Sequence, residues 1–313
     1  MTAGKEQYSM LPLVSIIICT QNRLEALRKY ALSSVFNIDY PSFEVVIVDD
    51  ASTDGTKEFL EIFKKEHNNL KVIRNDRKRG LCNARNLGID RCGGEIIAFT
   101  DDDCIVDRGW VKELVEVYAK EDVAIVGGIS YRGETPEIYI DDKRIWGCNM
   151  SFRAAIFKQF RFDTGLKYSH YSDEADIIGR IVSHGYKKAI ADKAIVKHYV
   201  EDAAYRKQLP LTAYLNSHYF NAKKSSLIGY YKYVFTQSFK HVLIVEYGLN
   251  FKGKRISIYE ILKKVIFYTY VFLIEIPVNA KIKHLQEEAL FKRGNRGQRP
   301  EKVLTNVQHN QYN

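Results

Sequence analysis

Short apolar runs alternate with amphipathic stretches through the first half of the chain. Val14-Ser-Ile-Ile-Ile-Cys19 is almost continuously apolar and predicts a strand buried on both faces. A helix is expected over roughly Leu24 to Val35, and a second strand over Glu44-Val-Val-Ile-Val48. From about Asp54 to Glu66 a helix follows, with Phe59, Leu60, Ile62 and Phe63 largely on one side and Ser52 or Thr53 as its cap. Leu70-Lys-Val-Ile73 reads as a third strand, Leu81 to Cys92 as a helix stopped by Gly93-Gly94, and Glu95-Ile-Ile-Ala-Phe99 as a fourth strand. Val111, Leu114, Val115 and Tyr118 then recur at i, i+3, i+4, i+7, the spacing of one helix face.

Strands alternating with helices of this length predict an α/β fold: a mostly parallel sheet with helices on both faces. From about Ile145 to His198 the pattern is mixed and admits antiparallel strands. Asp173 to His184 reads as a helix ended by Gly185, with Ile177, Ile178, Ile181 and Val182 on its buried side. After Val200 the texture changes: aromatic and basic residues interleave, and Val265 to Ile274 is an apolar-to-aromatic run of ten. That is short of the roughly 20 residues a spanning helix needs. Its lysine flanks (Lys263, Lys264, Lys281, Lys283) suit a helix lying at a membrane interface or packing in a homodimer. Residues from 288 onward are polar and basic and are expected to be disordered. No internal repeat is present.

The 313 residues carry a formal net charge of +9, with 46% hydrophobic and 27% charged content. This is ordinary for a globular protein with room for one large domain and an appendage, and it favours anionic partners. Five cysteines at wide spacing, without a CxxC pair, argue against a zinc motif or a disulfide framework and suit a reducing compartment. The opening residues have no apolar h-region, so a cytoplasmic location is expected, with peripheral attachment to the membrane face.

In parallel sheets ligands bind at the carboxyl ends of strands. Three polar clusters fall there: Thr20-Gln21-Asn22-Arg23, Asp49-Asp50-Ala51-Ser52 and Asp101-Asp102-Asp103. Three adjacent carboxylates repel one another unless a cation or solvent relieves them, and hard oxygen donors suit Mg²⁺ or Mn²⁺. In an extended segment Asp101 and Asp103 would face one way and Asp102 the other. A solvated acidic turn is the alternative. Asp49 and Asp50 can accept hydrogen bonds from a base or ribose, or serve the turn that follows.

Six segments together resemble family 2 glycosyltransferases, which have the GT-A nucleotide-diphospho-sugar fold: VSIIICTQNR (Val14 to Arg23), EVVIVDDASTDGT (Glu44 to Thr56), RGLCNARNLGI (Arg79 to Ile89), GEIIAFTDDD (Gly94 to Asp103), WGCNMSFR (Trp146 to Arg153) and SDEADIIGRIVSHGY (Ser172 to Tyr186). The resemblance covers about Leu13 to His198. It implies that Thr20, Asn22, Arg23 and Asp50 contact the nucleotide, that Arg85 approaches the diphosphate or ribose, and that Asp101 and Asp103 form the family's DxD pair around a variable Asp102. The pair would hold a Mg²⁺ or Mn²⁺ ion and the ribose, with Asp102 also on the nucleotide side. His198 matches a position where relatives place a metal or diphosphate ligand, and Trp146 and Asn149 lie in an acceptor-side segment. Relatives read Glu-Asp where this chain has Asp173-Glu174. Register with Asp176 and Arg180 puts Glu174 at the position of the catalytic base, with Asp173 as the alternative.

The expected organisation is an arm over 1–12, a GT-A domain over 13–204, a helical aromatic and basic region over 205–287 and a tail over 288–313. The expected partners are a UDP-, GDP- or dTDP-linked sugar and a glycan or lipid-linked glycan acceptor, joined by metal-dependent, inverting, non-processive transfer. The family's processive synthases carry a QxxRW element, which is absent here. A nicotinamide or flavin oxidoreductase would need a glycine fingerprint after strand one, and Thr20-Gln21-Asn22-Arg23 has no glycine. No nucleic-acid-binding motif accompanies the basic C-terminal part. A non-catalytic or nucleotidyl-transferring relative on the same fold is the remaining alternative.

Overall fold

The computed structural model describes residues 11–134, 144–166, 173–199, 219, 222–223, 226–233 and 276–294. The chain divides into two compact units: Met1–Asp163 with Asp173–Glu201 and Asn295–Asn313, and Thr164–Ser172 with Asp202–Gly294.

In the first unit, β1 (Val14–Thr20), β2 (Phe43–Asp49), β3 (Leu70–Arg74) and β4 (Ile96–Asp101) are the four predicted strands, each slightly longer than its apolar run. Between β1 and β2 the chain is helical from Leu24 to Val35 (α1), with a π-helical stretch over Leu27–Leu32. The helix α2 (Thr56–Phe63) continues into a 3₁₀ turn at Lys64–Glu66. Neither Ser52 nor Thr53 caps it: Gly55 holds the cap position at φ +89°, and the Asp54 carboxylate accepts the Thr56 N–H at 3.2 Å. Ile62 is exposed, so the buried face of this helix is narrower than its apolar residues imply. The helix α3 (Leu81–Ile89) ends at Asp90, before Gly93-Gly94. Those glycines anchor the other end of the sheet, donating N–H groups to Glu44 Oε1 at 2.6 Å and Ser15 Oγ at 2.8 Å.

Next come β5 (Cys104–Val106), α4 (Trp110–Lys120), β6 (Ile125–Arg132), β7 (Met150–Arg153), α5 (Asp173–Ser183) and β8 (Lys188–His198). The eight strands form one sheet in the order β3-β2-β1-β4-β7-β6-β8-β5. Pairing is parallel from β3 through β4 and between β6 and β8; β7 runs antiparallel to both neighbours, as β5 does to β8. The mostly parallel sheet and its antiparallel strands after Ile145 match the sequence reading.

Alternation along the strands divides the core. Ile16, Ile18, Val45 and Ile47 join one buried cluster with Leu27 and Ala31 of α1, Leu60 of α2 and Leu114 of α4. Ile17 and Val48 point to the other face and meet α3, where a Cβ on Gly88 would lie 2.9 Å from Ile17 Cγ2. Helices therefore cover both faces, and α3 lies close because Gly88 has no side chain. On α5, Ile177, Ile178 and Ile181 are buried, whereas Val182 is exposed.

The described part of the second unit contains α6 (Leu227–Tyr233) and α7 (Ile276–Gly294). The apolar run Val265 to Ile274 lies outside the described residues. Residues 288–294 are helical, so the disordered tail expected from 288 does not begin there. Among the described residues no helix is long and apolar enough to cross a membrane.

Candidate functional site

Strands β1, β2 and β4 end level with one another, Thr20 opposite Asp49 and Cys19 opposite Asp101. Three polar loops therefore share one rim. Asn22 adopts φ +55°, which an Asn tolerates better than most residues. Its Oδ1 accepts the Thr53 N–H at 2.6 Å, and its own N–H donates to Ser52 Oγ at 2.8 Å, joining the first loop to the second. Asp49 is buried, accepts the Ser52 N–H at 2.8 Å and pairs with Arg74. Asp50 accepts from Asn75 Nδ2 at 2.7 Å and from the N–H groups of Arg79 at 2.9 Å and Gly80 at 2.7 Å. Gly80 precedes α3, so Asp50 sets where that helix begins and hence where Arg85 falls.

The acidic triplet is not one extended segment: Asp101 ends β4, and Asp102 and Asp103 form the turn into β5. The expected alternation therefore fails: Asp102 and Asp103 turn to the same cation. Arg23 Nε lies 2.9 Å from Asp102 Oδ1, and Nη2 lies 2.6 Å from Asp103 Oδ2. Thr20 Oγ1 donates to the second Asp102 oxygen at 2.8 Å, and His198 Nε2 stands 3.1 Å from Asp103 Oδ1. The repulsion inferred from the sequence is thus largely relieved by the protein's own cations. Burial, only partly offset by Arg23, pushes Asp102 above the usual carboxylate range. Burial opposes the charge on Asp103 as well, but His198 and Arg23 hold its carboxyl below its ordinary value. Burial works against a charged His198, yet Asp103, Cys148 and Asp101 raise it to about 10.

Asp101 and Asp103 do converge, by way of the turn. One donor atom from each of Asp101, Asp103, Cys104 and His198 lies within 4.8 Å of the others. Two carboxylates and an imidazole fit a Mg²⁺ or Mn²⁺ ion that keeps positions open for phosphate oxygens. The carboxylate of Asp101 is one-third exposed, which leaves the cluster open on that side.

Arg85 links this cluster to the acids of α5. Its guanidinium is buried against the Phe99 and Phe162 rings, 5.9 and 5.3 Å from their centroids. It pairs with Asp173, reaches Asp101 at 3.5 Å and donates to the Gly147 carbonyl at 3.4 Å. Burial disfavours its charge, but Asp173 and Asp101 more than restore it. Glu174 is also buried, and burial, aided by the negative charge of Asp173, pushes it up to about 8. Its carboxylate lies 3.5 Å from Arg144 Nη2, and the Arg144 guanidinium stacks 4.3 Å over the Trp146 ring.

Asn149, expected on the acceptor side, is fully buried. Its Oδ1 accepts from Trp110 Nε1 at 2.8 Å, and its Nδ2 donates to the carbonyls of Ile129 at 3.0 Å and Ala194 at 2.9 Å. It ties α4, β6 and β8 together and presents nothing to a ligand. Asp176 is likewise engaged within its helix, with Arg180 at 2.7 Å. The residues that sequence reasoning passed over are Arg74 and Asn75, which support Asp49 and Asp50, Arg144 beside Glu174, and Cys104 and Cys148. Arg74 ends β3 and Asn75 follows it on the same rim, so the strand-end rule was a signal for them. Arg144 and the two cysteines carried none.

A parallel α/β half, an antiparallel extension and a carboxylate cluster on the carboxyl rim define a GT-A nucleotide-diphospho-sugar transferase fold. Residues 15–179 match Glycosyl transferase family 2, and the chain belongs to that family. Among its relatives is the glycosyltransferase AglE of Haloferax volcanii, 38% identical over 122 residues, which are 38% of this chain and 40% of that one. Another is the inactive polypeptide N-acetylgalactosaminyltransferase-like protein 5 of Mus musculus, 36% identical over 123 residues, 37% of this chain and 28% of that one. The chain thus spans two fifths or less of the length of these relatives. A mannosyltransferase from Pyrobaculum calidifontis, solved with GDP-Man and Mn²⁺, shares the fold at a TM-score of 0.58 and 18% identity, over 90% of this chain and 89% of that one.

Proposed function

We propose that the chain is a metal-dependent, inverting, non-processive glycosyltransferase. It would move a sugar from a nucleotide-diphospho-sugar to a hydroxyl of a glycan or lipid-linked glycan. The observation that carries this reading is Arg85, which touches both Asp101 of the cation cluster and Asp173 beside Glu174. Donor and acceptor chemistry therefore meet at one guanidinium.

On this reading Asp101, Asp103 and His198 hold a Mg²⁺ or Mn²⁺ ion. When bound, the ion supplies positive charge against the negative charge of the leaving diphosphate. Arg85 adds a second, permanent positive charge on the same side. Thr20, Asn22, Arg23, Asp50 and Asp102 form the nucleotide rim, with Asn22 and Asp50 holding the loops in shape. Glu174 takes the proton of the acceptor hydroxyl as that oxygen attacks the anomeric carbon from the face opposite the diphosphate. Asp173, already held by Arg85, positions Glu174 and keeps its proton affinity high. Trp146, with Arg144 stacked on it, offers a face on which an acceptor sugar ring can rest. Guanosine, uridine and thymidine donors are assayed together, because the P. calidifontis enzyme solved with GDP-Man shares the fold at only 18% identity.

The test is a thermal-shift screen of UDP, GDP and dTDP with and without Mn²⁺, followed by transfer assays with the matching sugars. Stabilisation by one diphosphate only when Mn²⁺ is present, and a product of inverted anomeric configuration by NMR, are expected. Diphosphate binding and transfer that persist in excess chelator would remove the metal role, and a retained configuration would remove the single displacement. A second reading, a nucleotide-binding but non-catalytic protein, is favoured by the mouse relative's description as inactive. Metal-dependent nucleotide binding without transfer or hydrolysis across the panel would establish it.

A further inference from the structure

The two cysteines left unused by this chemistry stand beside it. Cys104 opens β5 directly opposite His198 on β8. Cys148 comes from the turn before β7, far away in sequence. Both are buried and neither forms a disulfide. The Sγ atoms of Cys104 and Cys148 and a ring nitrogen of His198 lie within 4.8 Å of one another. Tetrahedral zinc, with bonds of about 2.3 Å to sulfur and 2.0–2.1 Å to nitrogen, holds such atoms roughly 3.5 Å apart, so small side-chain shifts close the site. Asp103 Oδ1 lies 3.9 Å from Cys104 Sγ and 3.1 Å from His198 Nε2, on one side of this trio, and water can fill a fourth position.

We propose that Cys104, Cys148 and His198 form a thiolate site for a soft divalent ion of the Zn²⁺ class, which shares His198 and Cys104 with the hard-cation cluster, so that the two kinds of ion exclude one another. Thiolates select zinc-like ions, whereas Mg²⁺ and Mn²⁺ prefer oxygen donors and gain little from a thiol. Ion entry displaces to solvent the thiol protons and the ring proton that His198 shares with Asp103, since a ligating imidazole must be neutral. The absence of any CxxC spacing does not weigh against the site, because two strands and a turn, not a local motif, bring its ligands together. The chain then has an inhibited form in which a soft ion occupies His198. The exclusion of Mn²⁺ rests on the proposed hard-cation site; the thiolate site itself does not depend on glycosyl transfer.

The experiment titrates the reduced, metal-free full chain with Co²⁺ as a spectroscopic stand-in for zinc. A thiolate-to-cobalt charge-transfer band saturating at one ion per chain is expected, bleached by added Zn²⁺ and lost in both Cys148→Ser and Cys148→Ala. In those variants Mn²⁺ binding, read by electron paramagnetic resonance, should be unchanged, because Cys148 lies outside the hard-cation cluster. Absence of the band, or its survival in both variants, overturns the thiolate site. If neither variant folds, the native chain decides: Zn²⁺ should release bound Mn²⁺ one for one, and simultaneous binding of both ions overturns the proposal. A cobalt band in a chain that shows no transferase activity would leave this site standing and the transferase reading fallen.

Discussion

Arg85 on α3 and Asp173 at the start of α5 form a buried ion pair between residues 88 positions apart in the chain. Neither side chain has bulk water to fall back on, since both are nearly inaccessible. Removing one partner strands the other as an unpaired buried charge, a loss of about 3–5 kcal/mol. Arg85→Met is therefore expected to lower stability by about that amount in urea unfolding. Combining it with Asp173→Leu should restore part of the loss. Purely additive losses in the double variant would show that the pair contributes no coupling.

Glu174 gives a pH signature. Burial and Asp173 hold its pKa at about 8, against an ordinary value of 4.5, with Arg85 and Arg144 as the nearby positive charges. As a base it must be ionised, so kcat/KM should rise with pH toward about 8 and then level off. Glu174→Gln should lower turnover by roughly 10²–10⁴-fold and abolish that rise. A rise that persists unchanged in the Gln variant would assign the base elsewhere.

The same group affects stability with a definite sign. Between the unfolded value of 4.5 and the folded value of about 8, the native state holds a proton that the unfolded chain has lost. The Glu174 contribution is therefore fully present below pH 4.5 and declines as pH rises through that window. Glu174→Gln should flatten this part of the stability profile, and a parent-like slope in the variant would contradict the shift.

Asp103 accepts from both Arg23 and His198 and closes the hard-cation cluster. Asp103→Ala should abolish the Mn²⁺-dependent stabilisation by nucleoside diphosphate while the far-ultraviolet circular dichroism stays native. Retained Mn²⁺ dependence in that variant would exclude Asp103 as a ligand.

Asn149 should behave as a structural residue. Asn149→Leu leaves the Trp110 N–H and the carbonyls of Ile129 and Ala194 without their partner, and about 1–3 kcal/mol is lost for each buried polar group left unmet. The cost should appear in unfolding, with the acceptor KM unchanged in whatever fraction remains folded. A raised acceptor KM at native stability would return Asn149 to the binding surface.

The sequence by itself determined the strands and the rim. Ile16, Ile17, Ile18 and the Val45–Val48 run are apolar on both faces, as strands of a sheet covered on both sides are, and the intervening helical stretches make that sheet parallel, with the polar residues after each run at the strand ends. Thr20, Asp50 and Asp101 were legible for that reason. Tertiary structure decided what those residues touch. The period of a strand put Asp101 and Asp103 on one side and Asp102 on the other, but the chain turns there, and Arg23 gathers Asp102 with Asp103. Asn149 is expected on the acceptor side because its segment resembles an acceptor motif, and the packing of α4 against β6 and β8 places it as an internal clamp. Cys104, Cys148 and His198 are far apart in the chain and become neighbours because β5 pairs with β8 and the turn before β7 reaches the same spot. Local pattern fixes backbone class through steric and hydrophobic periodicity, but the partners of a charge depend on long-range strand order, which no local period encodes.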